Sequence, residues 1–295
     1  MKPFPIPVVG MGSAGTGVGP GSQTEEVELD YMAMPQGMQT YAMPVLPEPE
    51  EMVNLKEAHW VLRAIVAALE VAAAGGQAAP VGLGGLDTHN LNLVNQVLGE
   101  GEVSVRVEGA ASIRIQEAIF AGVWRSIISR DGRVVADQIE VGPVPQIVIR
   151  AAYDSACAAC ATGLIAMPAE LLPQVMNAPS IIAELNEHIA AWQPGVPAHV
   201  VNLTLLPLSQ EDVSFLEERL VGGSVLILSR GYGNCRIIST LVPNCWRVTY
   251  YNSSDTVILN TVEVIDIPEV ACAALEDLHD SHERLVEVIQ WVEGG

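Results

Sequence analysis

A short cysteine motif in this sequence carries side chains that could do redox or metal chemistry. Cys157-Ala-Ala-Cys160 is a C-x-x-C pair, the spacing of thiol–disulfide proteins and of half a zinc site. The alanine-rich surroundings predict a helix over 148–162 with both thiols inside it and on one face. Because Arg150 is two turns away and no second cysteine pair exists, packing as small hydrophobic residues is the favoured interpretation. Redox or metal work at Cys157 and Cys160 stays the alternative.

Two further motifs lack the context that their chemistry needs. His279 and His282 are one helical turn apart and could hold a divalent ion, but no supporting ligand is evident elsewhere, so solvated helix positions are favoured. Residues 10–15 fit the G-x-G-x-x-G pattern of dinucleotide folds. Alternating prolines precede them and Thr-Gly-Val-Gly-Pro-Gly follows, so the required strand and helix are missing. The sequence therefore predicts no cofactor and no metal.

The strongest signal is a stretch that the chain contains twice. Residues 98–125 match residues 220–247 without a gap, and 8 of the 28 positions are identical. Trp124 and Arg125 recur as Trp246 and Arg247 at a constant offset, whereas chance would give about 2 identities. The match continues downstream with one inserted residue, so that Pro145 matches Pro268. A fixed-offset match of this kind indicates a repeated structural unit.

The repeat keeps polar residues that a packed core does not need. They are Arg114 and Arg236, Arg125 and Arg247, and Glu140 and Glu263. Ordered arginines cost side-chain entropy and desolvation, which predicts a salt bridge between each arginine and the matched glutamate on a neighbouring strand. One interpretation is architectural, with Trp124 and Trp246 filling the core. The other is a partner surface on the same sheet, anchored by these arginines and tryptophans.

Composition narrows the classes of partner. Acidic residues outnumber basic ones by 35 to 14, for a net charge of −21, which argues against nucleic acid and against an anionic membrane surface. No run of about 18 apolar residues predicts a membrane span, and no signal-peptide core follows Met1. Five cysteines without a framework spacing fit a reducing cytosol, so a cytoplasmic location is expected.

The pattern of elements predicts an α+β fold made of two tandem repeats, each a helix-plus-antiparallel-rich-sheet unit with helices on one face. Residues 51–175 form the first predicted unit and residues 176–295 the second. Within the second, the apolar run Val225–Leu228 predicts a strand buried on both faces. A bulge is expected at Gly122 and at the matching Pro243-Asn244.

Residues 1–50 differ from the rest in composition, being rich in Pro, Gly, Met and acid. We expect an extended arm that is ordered only by what it touches, or a disordered tail. Met32, Met34 and Tyr41 are spaced so that they could lie over an apolar groove, and methionine adapts well to irregular surfaces. These three residues are therefore candidates for partner binding.

At this point the residues resemble a known family. The arm (Met-Lys-Pro-Phe-Pro-Ile-Pro-Val-Val, Glu-Leu-Asp-Tyr, Met-Pro-Gln-Gly-Met, Leu-Pro-Glu-Pro-Glu-Glu) and the doubled block resemble hydrogenase expression/formation proteins of the HupH type, also known as HyaF- and HoxQ-like. The resemblance covers essentially the whole chain. It implies a non-catalytic, chaperone-like maturation accessory of an uptake [NiFe] hydrogenase.

The same resemblance implies the partners. The expected client is the immature iron–sulfur small subunit, bound in the cytoplasm before export, with other maturation accessory proteins as further partners. No nucleophile, base and orienting group stand together in the sequence, so we expect no enzyme. The alternative is a thiol- or metal-carrying protein that uses Cys157 and Cys160 to protect or deliver an iron–sulfur cluster.

Overall fold

A computed structural model describes residues 54–170, 173–231 and 233–293. Within them the chain forms six α-helices and ten strands. The helices are α1 (Lys56–Ala73), α2 (Thr88–Leu98), α3 (Gln146–Ala159), α4 (Ala178–Ala191), α5 (Gln210–Arg219) and α6 (Leu275–Glu293). The strands are β1 (Val81–Gly82), β2 (Val103–Val107), β3 (Ser112–Glu117), β4 (Val123–Arg130), β5 (Arg133–Val141), β6 (His199–Asn202), β7 (Gly222–Ser229), β8 (Asn234–Thr240), β9 (Cys245–Tyr251) and β10 (Val257–Val264).

All ten strands belong to one antiparallel sheet, in the order β1-β5-β4-β3-β2-β7-β8-β9-β10-β6. The first half (β1 to β5) and the second half (β6 to β10) are arranged alike on either side of the β2–β7 seam. At the centre of the seam Val105 faces Ile227, its own match in the repeat. Around this pair the register is symmetric, since Val103 faces Ser229 and Val107 faces Val225. The halves therefore share one sheet.

Helices cover both faces of this sheet, unlike the predicted single face. On the tryptophan face, Trp124 and Trp246 pack under α3 and the segment 265–272. On the opposite, open face, α1, α2 and α6 cover the end that belongs to the first half. Helices α4 and α5 cover the other end of the open face. The prediction was wrong because alternation along a strand sends apolar residues to both faces near each end of the sheet.

Two local predictions in the sheet were also wrong. Gly122 and Asn244 have φ values of 80° and 56°, and they lie in turns that separate β3 from β4 and β8 from β9, instead of forming bulges in one long strand. In β7, Val225 and Ile227 are buried, whereas Leu226 and Leu228 are partly exposed. The apolar run is therefore covered on the tryptophan face only.

Matched polar residues hold the first helix of each half in place. Asn90 on α2 accepts a 2.9 Å hydrogen bond from the Ala58 backbone N–H in the first turn of α1. Its match Asp212 on α5 accepts bonds of 2.9–3.0 Å from three backbone N–H groups at the start of α4, those of residues 176–178. Both side chains satisfy donors that a helix start leaves unpaired.

Candidate functional site

The middle of the open face, between the two sets of helices, is a trough that none of the six described helices fills. It forms a cavity of about 630 Å³ bounded by the end of α2 and by strands of both halves. Five of the chain's 14 basic residues line it, against two acidic ones, Glu100 and Asp255, so its lining carries a net positive charge in a protein of net charge −21. We call it the arginine trough; its basic residues are Arg106, Arg114, Arg125, Arg230 and Arg236, and its main apolar ones are Ile127, Leu226, Leu228 and Tyr251.

Two arginines stand opposite each other on the floor of the trough. Arg106 on β2 and Arg114 on β3 are direct partners in the strand register, and both side chains line the trough. Like charges at such a position destabilise a sheet. In the described part of the chain neither guanidinium has an ion pair or a side-chain hydrogen bond. Sequence comparison within the chain missed Arg106 because its match in the second half is Leu228.

The other repeated arginines have partners. The Arg125 side chain donates to both carboxylate oxygens of Asp137, at 2.9 and 2.7 Å, and also to the Asn95 side chain, so it ties α2 to the sheet. Arg236 lies over the Tyr251 ring at 5.9 Å. Arg247 is outside the trough, and its guanidinium is 3.9 Å from the Glu217 carboxylate on α5.

The predicted ion pairs between repeated arginines and glutamates were wrong. Glu140 faces Trp124, and Glu263 faces Trp246, in the strand register. The two glutamates therefore lie on the tryptophan face. Arg125 and Arg247 directly follow the tryptophans in sequence, so their side chains lie on the opposite, open face. Trp124 and Trp246 are 0% and 1% exposed, so they are core residues and cannot anchor a partner in the folded protein.

Burial disfavours the charged form of the ionisable groups beside the tryptophans. Desolvation raises the pKa of Glu140 and of Glu263, although hydrogen bonds from Gln138 and Thr261 oppose the shift. It also raises the pKa of the Cys235 thiol to about 12, and that of the nearby Tyr250 hydroxyl to about 12. A thiol held in its protonated form is a poor nucleophile.

The two cysteines of the C-x-x-C motif lie at the end of α3, not well inside a helix. Cys157 is exposed on the last turn, and Cys160 follows the helix with extended backbone. The Cys160 thiol is 3.2 Å from the Leu164 carbonyl oxygen, to which it donates. All five cysteines are free thiols. No cluster of three or more potential metal ligands occurs among residues 54–170, 173–231 and 233–293.

The remaining candidates are placed as follows. Met32, Met34 and Tyr41 lie outside the described residues. His279 Nδ1 is 2.8 Å from the Leu275 carbonyl oxygen on its own helix. In the part of the chain that the structure covers, no helix has both the length and the apolar character needed to cross a bilayer.

The geometry thus defines an α+β protein whose single antiparallel sheet has an arginine-lined trough on one face. The family model "HupH hydrogenase expression protein, C-terminal conserved region" matches the chain twice, at residues 55–164 and 175–292. The chain belongs to the HupH family of hydrogenase expression proteins, as its resemblance predicted.

Named relatives are similar over most of their length. The hydrogenase expression/formation protein HoxQ of Cupriavidus necator is 54% identical over 92% of this chain and 94% of its own. HupH of Rhodobacter capsulatus is 46% identical over 91% and 94%. The hydrogenase-1 operon protein HyaF of Escherichia coli is 35% identical over 74% of each chain. A solved structure, hydrogenase expression protein HupH from Thiobacillus denitrificans, matches 38% of this chain and 93% of its own at 26% identity and a TM-score of 0.36.

Proposed function

We propose that this protein is a non-catalytic accessory of [NiFe] hydrogenase maturation. In this proposal it acts in the cytoplasm and binds the immature iron–sulfur small subunit before export. The relatives named as hydrogenase expression/formation proteins support the maturation role. The proposed client is the one that the family resemblance implies. The arginine trough is the observation that supports the proposed binding of a client polypeptide.

The trough suits a polypeptide better than a small molecule. Its floor crosses the seam between the two halves and combines arginines with partly exposed leucines, so it offers charge and apolar contact side by side. Interfaces that bind proteins combine an apolar centre with arginine contacts in this way. An acidic, partly apolar segment of an unfolded client would neutralise the facing Arg106 and Arg114 pair.

We further propose that the chain is built from two repeat units, residues 51–175 and 176–295. The double match of the family model and the symmetric seam support this division. Both indole N–H groups also donate to backbone carbonyls after the last strand of their half, that of Trp124 to Gly142 and that of Trp246 to Ile265 and Asp266.

A pulldown with the tagged full chain from hydrogenase-producing cells tests the client role. We expect recovery of the small-subunit precursor, reduced at least about 10-fold by the double change Arg106→Glu and Arg114→Glu. Arg130 and Arg133 provide a matched control, because they also face each other in the sheet but lie exposed at the tip of the β4–β5 hairpin. Undiminished recovery with the trough variant would remove the trough from the proposal.

The alternative, a thiol or metal carrier, is favoured by the exposure of Cys157 at the end of α3. It predicts stoichiometric metal or a reversible disulfide in the purified protein, and loss of maturation when Cys157→Ala and Cys160→Ala are combined. The accessory role predicts normal maturation in that double variant. Metal analysis and hydrogenase activity of the variant strain decide between them.

A further inference from the structure

The outer side of α1 carries an apolar stripe in addition to the face that the helix buries. The stripe consists of Trp60, Ala64, Ala67 and Val71, whose spacing places them on one side of the helix. Trp60 is 65% exposed and Val71 is 42% exposed, Ala67 is exposed and Ala64 is partly buried. Apolar residues that are aligned in this way, and not scattered singly, mark an interaction surface.

The matched helix of the second half, α4, has no such stripe. When Ala58 is paired with Ala178, as the matched caps require, each of the four buried residues of α4 matches a buried residue of α1. The four stripe positions then correspond to Ser180, Glu184, Glu187 and Ala191. The fold therefore accepts polar side chains at these positions, so the apolar character of the α1 stripe has a cause outside the packing of a half.

The charges on α1 favour contact with another copy of the same helix. Its acidic and basic residues balance, in a protein of net charge −21; they are Lys56, Glu57, Arg63 and Glu70. Two copies of this surface therefore repel each other less than two strongly acidic surfaces would. Arg63 and Glu70 are two helical turns apart, so they flank the stripe on the same side with opposite charges.

An antiparallel arrangement of two copies makes the stripe complementary to itself. A two-fold axis that passes between residues 65 and 66 places Trp60 against the partner's Val71, and Ala64 against the partner's Ala67. The large side chains then lie at the two ends of the contact, and the alanines at its centre let the two helix axes approach closely. Each apolar contact occurs twice.

We propose that this chain forms a two-fold symmetric dimer in which the α1 helices pack antiparallel through the stripe. Arg63 of each copy lies beside the partner's Glu70, because antiparallel packing brings the same flank of both helices together. A contact of about three helical turns is at the small end of specific interfaces, so we expect a dissociation constant of about 10 µM. None of the four stripe residues lines the arginine trough, so the dimer does not depend on the proposed function.

Sedimentation equilibrium of the full-length chain between about 1 and 200 µM tests the dimer. Trp60→Gln should weaken it at least about 10-fold, because the change removes both tryptophan contacts. Tyr153→Gln provides a matched control, because Tyr153 is a 50% exposed aromatic residue on a different helix, α3. This control should leave the dissociation constant unchanged. Both substitutions are at exposed positions, and circular dichroism should show the same fold in each variant.

A charge-reversal experiment tests the antiparallel register. Arg63→Glu sets two acids against each other across the two-fold axis, and Glu70→Arg sets two bases against each other. Each variant alone should therefore dimerise about 10-fold more weakly than the wild type. An equimolar mixture of the two variants restores opposite charges at both contacts, so it should form a heterodimer with nearly the wild-type affinity.

Three results would overturn the proposal. A wild-type chain that stays monomeric at about 200 µM would leave a different protein as the occupant of the stripe. A dimer that Trp60→Gln leaves intact would place the interface elsewhere on the chain. A dimer that depends on Trp60, but whose charge variants are not rescued by mixing, would exclude the antiparallel register. Failure to capture the small subunit would count against the proposed function alone.

Discussion

The two halves have the same strand order but differ in what fills the space next to the turn before the tryptophan strand. In the first half Leu278 of α6 packs so tightly against Gly122 that an added Cβ would lie 2.1 Å from its side chain. In the second half Asn244 takes the place of Gly122, and a cavity of about 440 Å³ lies there, lined in part by Tyr153 and Trp192.

This difference in packing follows from α3 and α6, the helices that come after the last strand of each half. In the alignment that pairs Pro145 with Pro268, the residue that matches Leu278 is Ser155 on the shorter α3. The long α6 continues along α1 and buries Leu285 and Val292 in the first core. In the second half, the segment around Ile165 packs over α4 in the way that α6 packs over α1. The Asn186 side chain holds this segment through hydrogen bonds to the Ile165 backbone. A repeat can thus keep its sheet while each half completes its core differently.

The largest expected effect on stability comes from truncating Leu278, which has no counterpart in the second half. Leu278→Ala should lower the free energy of unfolding by about 3–4 kcal/mol, because Leu278 is fully buried and its loss leaves a cavity. Ser155→Ala at the matching position should change it by less than about 0.5 kcal/mol. Urea denaturation of the two variants measures both values, and similar losses would contradict the asymmetry.

The pH dependence of stability offers a second way to distinguish the two halves. Burial, with a smaller contribution from Glu102, raises the pKa of Glu117 from 4.5 to about 7, although the Gly122 N–H that donates to its carboxylate opposes the shift. The folded protein then binds more protons than the unfolded chain between these values. Its stability should fall by about 3 kcal/mol as pH rises from about 4.5 through 7.

Glu117→Gln should remove this slope, whereas Ser239→Ala at the matching position of the second half should leave it intact. Thermal unfolding at several pH values measures both. A slope that persists in the glutamine variant would assign the titration to another group.

Substituting each tryptophan tests whether the two halves provide equivalent environments for it. Trp124→Phe and Trp246→Phe should each cost about 2 kcal/mol, since each variant loses buried volume and leaves backbone carbonyls without the indole N–H donor. The two losses, measured in guanidinium, should agree within about 0.5 kcal/mol. A difference above about 2 kcal/mol would show that the two environments are not equivalent.

The smallest expected effect on stability concerns Asp212, which together with its match Asn90 caps the first helix of each half. Burial alone would raise the pKa of Asp212, but hydrogen bonds from Ala178, Ser209 and Asn177 outweigh it and lower that pKa. Its stabilising contribution is therefore present above the ordinary value of 3.8 and is lost as pH falls through the lower folded value. Asp212→Asn should cost about 1 kcal/mol at pH 7 and remove this acid sensitivity.

The reciprocal double change Asp87→Ser and Asn90→Asp provides the control, because it copies the Ser209–Asp212 pair into the first half without setting two carboxylates side by side. It should introduce acid sensitivity if the two caps are interchangeable. Unfolding at pH 3 and pH 7 compares the two variants with the wild type.

Much of the fold followed from local signals, whereas the pairing of residues across the sheet did not. Aspartate and serine are residue types that commonly cap helix starts, and Asp87 and Ser209 cap α2 and α5, where Ser209 forms a full capping box with Asp212. The β2–β7 seam joins residues more than 100 positions apart and has no local signal. The Arg–Glu pairs failed because shifting a pairing by one residue moves a side chain to the other face.

The candidate site was predictable only where the repeat preserves it. Arg114, Arg125 and Arg236 were selected because they recur, and all three line the trough. Arg106 was missed because Leu228 stands at its matched position, so a search for recurrence discards it. The exposed side of Leu226 and Leu228 was hidden as well, because an apolar run does not show which face the fold leaves uncovered.

The mismatch between Arg106 and Leu228 has one more consequence. Two identical half-length chains joined at the same seam would present identical walls, and a bound strand could shift by one residue at no cost. In the single chain the matched positions carry Arg106 and Leu228, so the two walls differ there. For the acidic, partly apolar client segment proposed above, such a shift would move carboxylates from the arginine to the leucine, a distinction between odd and even phase that no symmetric pair could make.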